Sequence, residues 1–176
     1  MRYNPFDLLL GKMTFEGELA VIGPLTVGIE PAWIWGAPTS ALVDRAGFSI
    51  AGTLGVYVQG TPMRGFWLKG YLGYESFEAT VMHERFEDIT GSGRVSSAIA
   101  GGMLGSSSVF GRNGGFTLSG GIGLGVALAD PQNVTADPTP GPNGQTNRSG
   151  DEYVAVFYDK TAKLQLLGSV SLGVAF

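Results

Sequence analysis

The sequence predicts an all-β chain closed into an antiparallel transmembrane β-barrel of eight strands. Three observations lead there: segments whose apolar residues fall on alternate positions, links between them that alternate short and long, and too little charge to coat a water-facing exterior.

The 176 residues suit one domain spanning 1–176. Glycine contributes 29 residues, yet there is no Gly-X-Y period, and aromatics make up 11%, which excludes collagen and disorder alike. Charged residues are 15% of the chain and mean hydropathy is +0.17, so part of the surface must face something other than water. No run approaches the roughly eighteen apolar residues of a membrane helix. The remaining way to satisfy every backbone N–H and C=O within a bilayer is a closed barrel.

A net charge of −4 and a pI near 4.9 lack the basic footprint of a nucleic-acid binder. Cysteine is absent, which excludes disulfides and thiolate metal sites, and nothing in the sequence calls for a cofactor. The opening Met1-Arg2-Tyr3-Asn4-Pro5 is not a leader. Export therefore implies that a signal peptide has been removed and that Met1 is an added start.

Each strand is read from its alternation. Residues 13–21 place Met13, Phe15, Leu19 and Val21 opposite Thr14, Glu16, Glu18 and Ala20. Residues 25–35 set Leu25, Val27, Ile29, Trp33 and Trp35 against Thr26, Gly28, Glu30 and Ala32, with Pro31 on the apolar face predicting a bulge. Residues 48–59, 66–75, 116–129 and 163–176 alternate as clearly, and 95–110 is a weaker, Ser- and Gly-rich seventh segment. Even strand numbers are the rule for single-chain bacterial barrels. The eighth pass is sought either in Arg2 to Leu10 or in Tyr153 to Tyr158, the latter within a longer external hairpin.

Short links at 22–24, 61–64 and 112–115 are assigned to the periplasm, the last for its Asn-Gly pair. Long links at 36–46, 83–94 and 130–152 are assigned to the exterior. The outward aromatics then sort to two levels. Phe66, Phe116 and Phe176 lie near the periplasmic end, and Trp33, Trp35, Phe48 and Tyr74 near the external end, as interfacial girdles. The expected location is a bacterial outer membrane, with its lipid and lipopolysaccharide as the surrounding partners.

Glu16 and Glu18 are two residues apart on the inward face, about 7 Å along an extended strand, a spacing compatible with paired-carboxylate acid–base chemistry. Lys12, Lys69 and Lys163 share the inward phase with Glu16, Glu18, Glu30 and Glu75. A polar network in the lumen explains all seven without catalysis, since enclosed carboxylates need cationic partners. The single His83 lacks a neighbouring serine at the His-x-Ser spacing of a lipid A deacylase barrel. Loop acids Glu84, Glu87, Asp88, Asp130, Asp137 and Asp151 lack EF-hand spacing, so solvated loop charge is the default over cation binding. Asn133-Val134-Thr135 matches a glycosylation acceptor without meaning in a bacterial envelope.

The final alternating segment from Leu166 to Phe176, ending on an aromatic, resembles the C-terminal strand recognised by the outer-membrane insertion machinery. The opening Asn4-Pro5-Phe6-Asp7-Leu8-Leu9-Leu10-Gly11, followed by Phe15-Glu16-Gly17-Glu18, is similar to the start of a family of small outer-membrane proteins of uncharacterised function. That family reads Asn-Pro-Leu, Leu-Leu-Gly and Leu-Glu-Tyr-Glu, and Gly17 departs from its aromatic. The resemblance implies the class of small eight-stranded outer-membrane barrels and the insertion machinery as a partner, while a shared fold leaves function open. The expected function is non-enzymatic: a monomeric structural, adhesion or interaction barrel acting through its external loops, its lumen plugged by side chains. A lipid-directed enzyme and a narrow pore are the alternatives. A lipocalin-like barrel with the faces reversed fails, because its exterior would be mainly Gly, Ala, Ser and Thr.

Overall fold

The computed structural model describes residues 1–5, 7–8, 11–36, 43–83, 86–111, 114–136, 153–159 and 163–175, except for the side chains of 83, 86–89 and 153. Among the described residues there are ten strands: β1 (Arg2–Asn4), β2 (Lys12–Ile22), β3 (Leu25–Trp35), β4 (Val43–Tyr57), β5 (Gly65–His83), β6 (Phe86–Phe110), β7 (Gly115–Ala127), β8 (Gln132–Ala136), β9 (Tyr153–Phe157) and β10 (Leu164–Ala175). Eight of them close a barrel in the order β1-β10-β7-β6-β5-β4-β3-β2, with every neighbouring pair antiparallel. β8 and β9 pair only with each other.

The eighth barrel strand is Arg2–Asn4, which bridges β2 and β10. Tyr153–Phe157 is also a strand, but it belongs to the separate β8–β9 hairpin. The expected bulge at Pro31 is absent. Pairing of β2 with β3 skips Phe15 and Glu16, opposite Pro31 and Glu30, without changing register, and the register shift falls at Ala20/Ile22 instead. Proline has no N–H to donate to the ladder. Phe15 and Glu16 are paired with β1 on their other side.

Two long links prove shorter than their sequence reading. β4 begins at Val43, and the stretch read as a link from His83 to Arg94 is mostly strand, with β5 and β6 in register from Gly65↔Ser107 to Met82↔Thr90. At 19 and 25 residues, these two strands far exceed the roughly 9–11 that cross a bilayer. With β4, which stays paired to β5 as far as Val43↔Val81, they extend beyond the rest of the ring at the end carrying the long links, here called the loop end.

The two faces of the wall differ sharply. Leu19, Val27, Leu54, Leu72, Leu104, Leu124 and Leu166 project outward and are exposed. Tyr57, Trp67, Lys69, Ser107, Thr117, Ser119 and Ser171 are buried within the ring. The inward glycines make room for large neighbours: a Cβ on Gly105 or Gly121 would collide with the Trp67 indole, and one on Gly123 with Met103. Tyr57, Trp67 and Met103 form an apolar cluster, with Met63, Tyr71 and Leu167 packed against it.

The β8–β9 hairpin lies over the mouth at the loop end. Val134 and Ala136 of β8, with Tyr158, are buried against Ile34, Phe77, Ala79, Val81 and Val95, residues on the inward phase of β3, β5 and β6. Gly91 and Gly93 keep the facing β6 surface low enough for this approach, since Cβ atoms there would meet the Thr135 backbone and Val134. The Gln132 amide accepts from Ser96 N–H at 3.1 Å and donates to Ser96 C=O at 2.7 Å, covering the backbone of β6 where β7 no longer flanks it. The link read from sequence as 130–152 thus contains β8, half of a packed cap.

Candidate functional site: the charged cluster inside the barrel

Lumen-facing positions on β1, β2 and β5 converge on a four-charge cluster. Arg2 Nη2 donates to Glu16 Oε1 at 2.5 Å and also bonds Glu18. Lys69 Nζ lies 3.0 Å from both Glu16 Oε1 and Glu18 Oε2. Two cations against two carboxylates make the cluster neutral, which is what allows it to sit out of water: an unpaired charge there would retain most of its desolvation cost.

Hydroxyls complete the carboxylate shells. Glu16 Oε2 accepts from Ser171 at 3.0 Å. Glu18 Oε1 accepts from Thr26 at 2.7 Å and from Tyr57 OH at 3.2 Å. The cluster thereby joins strands on opposite sides of the ring: β1 and β2, β3 and β4, β5 and β10. Lys69 also stands 4.7 Å from the centroid of the Trp67 ring, a cation–π geometry that ties the ionic layer to the apolar cluster beside it. Ser107 and Ser119 share a hydrogen bond at 2.7 Å in the same interior.

The seven residues read from sequence as one lumen network are divided by depth. Glu16, Glu18 and Lys69 meet. Glu75 is six residues beyond Lys69, about 20 Å along a strand, and its carboxylate instead accepts from Tyr158 OH at 2.5 Å beneath the cap. Burial and the Glu75 charge raise the Tyr158 hydroxyl above its ordinary pKa, so it remains a donor. Half-buried Glu30, opposite Glu16 across the β2–β3 pairing, interacts electrostatically with Glu16 and Lys69 of the cluster before Lys12, and Lys12 also interacts with Asp7, which accepts from Thr14. Lys163 stands at the loop-end rim, where its carbonyl accepts from Ala127 N–H at 2.8 Å.

Arg2 is the cluster member that sequence reasoning missed. Its inward phase follows from Asn4 two positions on, but three residues give no period to recognise. Of the aromatics assigned to girdles, Trp33, Trp35, Phe48, Phe66, Tyr74 and Phe116 are all exposed on the outer wall. Phe66 and Phe116 stand at the turn end, where β5 and β7 begin. Trp33, Trp35, Phe48 and Tyr74 are set toward the loop end, with Trp33 opposite Phe48 in the β3–β4 register. Phe176, Glu84, Asp137 and Asp151 lie outside the described residues, as do the side chains of His83, Glu87 and Asp88. His83 itself ends β5, paired with Phe86, rather than sitting in a loop.

The cluster holds no open carboxylate pair: Glu16 and Glu18 are each held by both cations and capped by the Ser171, Thr26 and Tyr57 hydroxyls. Its chemistry is that of a cross-lumen tie. No family model, no curated protein and no solved structure matches this chain.

Proposed function

We propose that this chain is a monomeric Gram-negative outer-membrane barrel with a structural, adhesion or interaction role at its external end and a lumen plugged by its own side chains. One observation carries the reading: large apolar residues cover the outside of the closed ring while the charged and hydroxyl residues lie within it. This arrangement suits a wall in lipid and is costly for one in water. The apolar band would contact outer-membrane lipid and lipopolysaccharide, β10 would present the chain to the insertion machinery, and the long β5–β6 hairpin with the β8–β9 cap would form the surface offered to partners.

Plugging is supported at three depths. Tyr57, Trp67 and Met103 fill the region toward the turn end, the four-charge cluster spans the lumen, and the β8–β9 hairpin covers the mouth. An eight-stranded barrel is only wide enough for side chains to fill. Planar-bilayer recordings are therefore expected to show inserted protein with no steady ionic current. Reproducible long-lived conductance steps that shift with Lys69→Glu would overturn the plugged reading in favour of a narrow pore.

A further inference from the structure

β6 carries an open edge at the loop end. Its ladder with β7 starts at Ile99↔Ala127, whereas its ladder with β5 runs on without a register shift to Met82↔Thr90. The bonds just below the edge show which groups it presents. Leu128 N–H donates to Ala98 C=O at 2.8 Å, and the Gln132 amide bonds both the N–H and the C=O of Ser96. In an antiparallel ladder the N–H and C=O of one residue point to the same side, and alternate residues share that side. Those of Arg94, Ser92 and Thr90 therefore also point away from β5.

Among the described residues none of these backbone groups has a partner. β8 does not take the place, because it crosses the inward face, where the Thr135 carbonyl and Val134 approach Gly91 and Gly93. Thr90, Ser92 and Arg94 are exposed, and Arg94 has no ion pair among the described residues. Gln132 shows what fits such an edge. Its side-chain amide carries the donor and acceptor of a peptide group, and at Ser96 it makes both bonds that the facing residue of an antiparallel strand makes.

We propose that the β6 edge from Thr90 to Arg94 is a docking site for an extended segment of a partner protein, which adds a strand antiparallel to β6 in line with β7. Main-chain bonds supply the hold, and alternate side chains supply the choice. Arg94 faces Glu78 on its β5 side, and an acidic residue on the added strand gives it a second opposite-charge neighbour. A second copy does not suit the site. Like edges joined antiparallel are related by a two-fold axis through the sheet, which turns one barrel end over end, whereas copies in one membrane share an orientation. The proposal rests on the membrane reading above for that choice of partner, and it gives the interaction role a mode of contact.

Residue-resolved amide exchange on the full chain in detergent micelles tests it. The edge is measured whether or not the ring belongs in a membrane, so failure here is distinct from failure of that reading. After correction for intrinsic rates, the amides of Thr90, Ser92 and Arg94 are expected to exchange at least about tenfold faster than those of Gly91, Gly93 and Val95, which face β5. The probe is an acetylated peptide of about eight residues alternating threonine and valine, with one glutamate. At millimolar concentration it is expected to slow the three edge amides saturably, by about fivefold or more, and to leave β7 unchanged. A lysine-for-glutamate peptide is expected to act more weakly, and a twin with N-methylated amides not at all. Ser92→Pro removes only an N–H that faces the open edge, a change edge strands tolerate. It is expected to keep the tryptophan fluorescence of the folded chain and to abolish the slowing. Slow exchange at the three edge amides of the free chain would mean the edge is already covered and would overturn the proposal. So would the absence of saturable slowing by the glutamate peptide, or equal slowing by the lysine peptide or the N-methylated twin.

Discussion

Replacing Lys69 with methionine is expected to destabilise the folded chain by about 3–5 kcal/mol, the cost of breaking a buried ion pair by removing one partner. Lys69 is buried and contacts both Glu16 and Glu18, so its loss leaves two enclosed carboxylates against one guanidinium. Methionine retains an unbranched stem beside Trp67, which separates the loss of charge from a loss of packing. Adding Glu18→Gln to Lys69→Met restores neutrality and is expected to recover a substantial part of the loss, a non-additivity that a double-mutant cycle detects. Reversible urea unfolding in lipid vesicles, followed by tryptophan fluorescence, measures all three chains. A change below about 1 kcal/mol for Lys69→Met would mean that the cluster is hydrated and not a tie.

Placing arginine at Leu124 is expected to weaken folding into a bilayer by about 2–4 kcal/mol, the penalty of a cation facing lipid at the midplane. Leu124 is 56% exposed on the outer wall and lies within β7, opposite Gly102 and Leu166. Ser92→Arg supplies the comparison. It lies in the part of β6 that extends past β7, and its cost is expected to stay within about 0.5 kcal/mol, as for ordinary surface substitutions. Ser119 is a poorer comparison than its inward phase implies, because it is buried and bonded to Ser107, and a larger asparagine would be overpacked there. Equal penalties at Leu124 and Ser92 in a vesicle-folding titration would show that the apolar wall does not meet lipid.

The barrel was legible wherever one face of a strand is apolar for its whole length. The stretch from Phe116 to Leu128 declares itself because every second residue but Gly120 is large and apolar while the residues between are Gly, Ser, Thr or Ala. Residues 76–94 were not legible. There the apolar face turns inward, with Phe77, Ala79 and Val81 packed against the cap while Glu78 and Thr80 take the outward phase and Gly91 and Gly93 leave space for β8, so the outward apolar period is lost. β8 was hidden for a related reason, as a five-residue strand beside a Pro-, Gly- and Asn-rich stretch that reads as pure loop, whereas β9 lies within Tyr153 to Tyr158, which the sequence already offered as part of an external hairpin.

The site was half legible. Phase alone placed Glu16, Glu18 and Lys69 on one inner surface, but phase carries no depth, so Glu75 and Lys163 were grouped with residues far from them along the barrel. Arg2 required the register of β1 against β2, which no three-residue pattern can supply. The inward glycines were the reverse case. In the sequence Gly121, Gly123 and Gly125 are only small inward residues, whereas in the fold these positions receive Trp67, Met103 and the side chains of Ile99 and Leu167.

Heat-modifiable migration most directly tests whether this ring is a membrane wall. The chain is refolded from urea into lipid vesicles and, in parallel, into buffer without detergent or lipid, and each sample is run on a detergent gel with and without boiling. The apolar exterior and closed ladder predict that the vesicle sample migrates faster unboiled than boiled, while the buffer sample precipitates or shows no folded band. A folded, soluble monomer in plain buffer, with no lipid-dependent band, would contradict it.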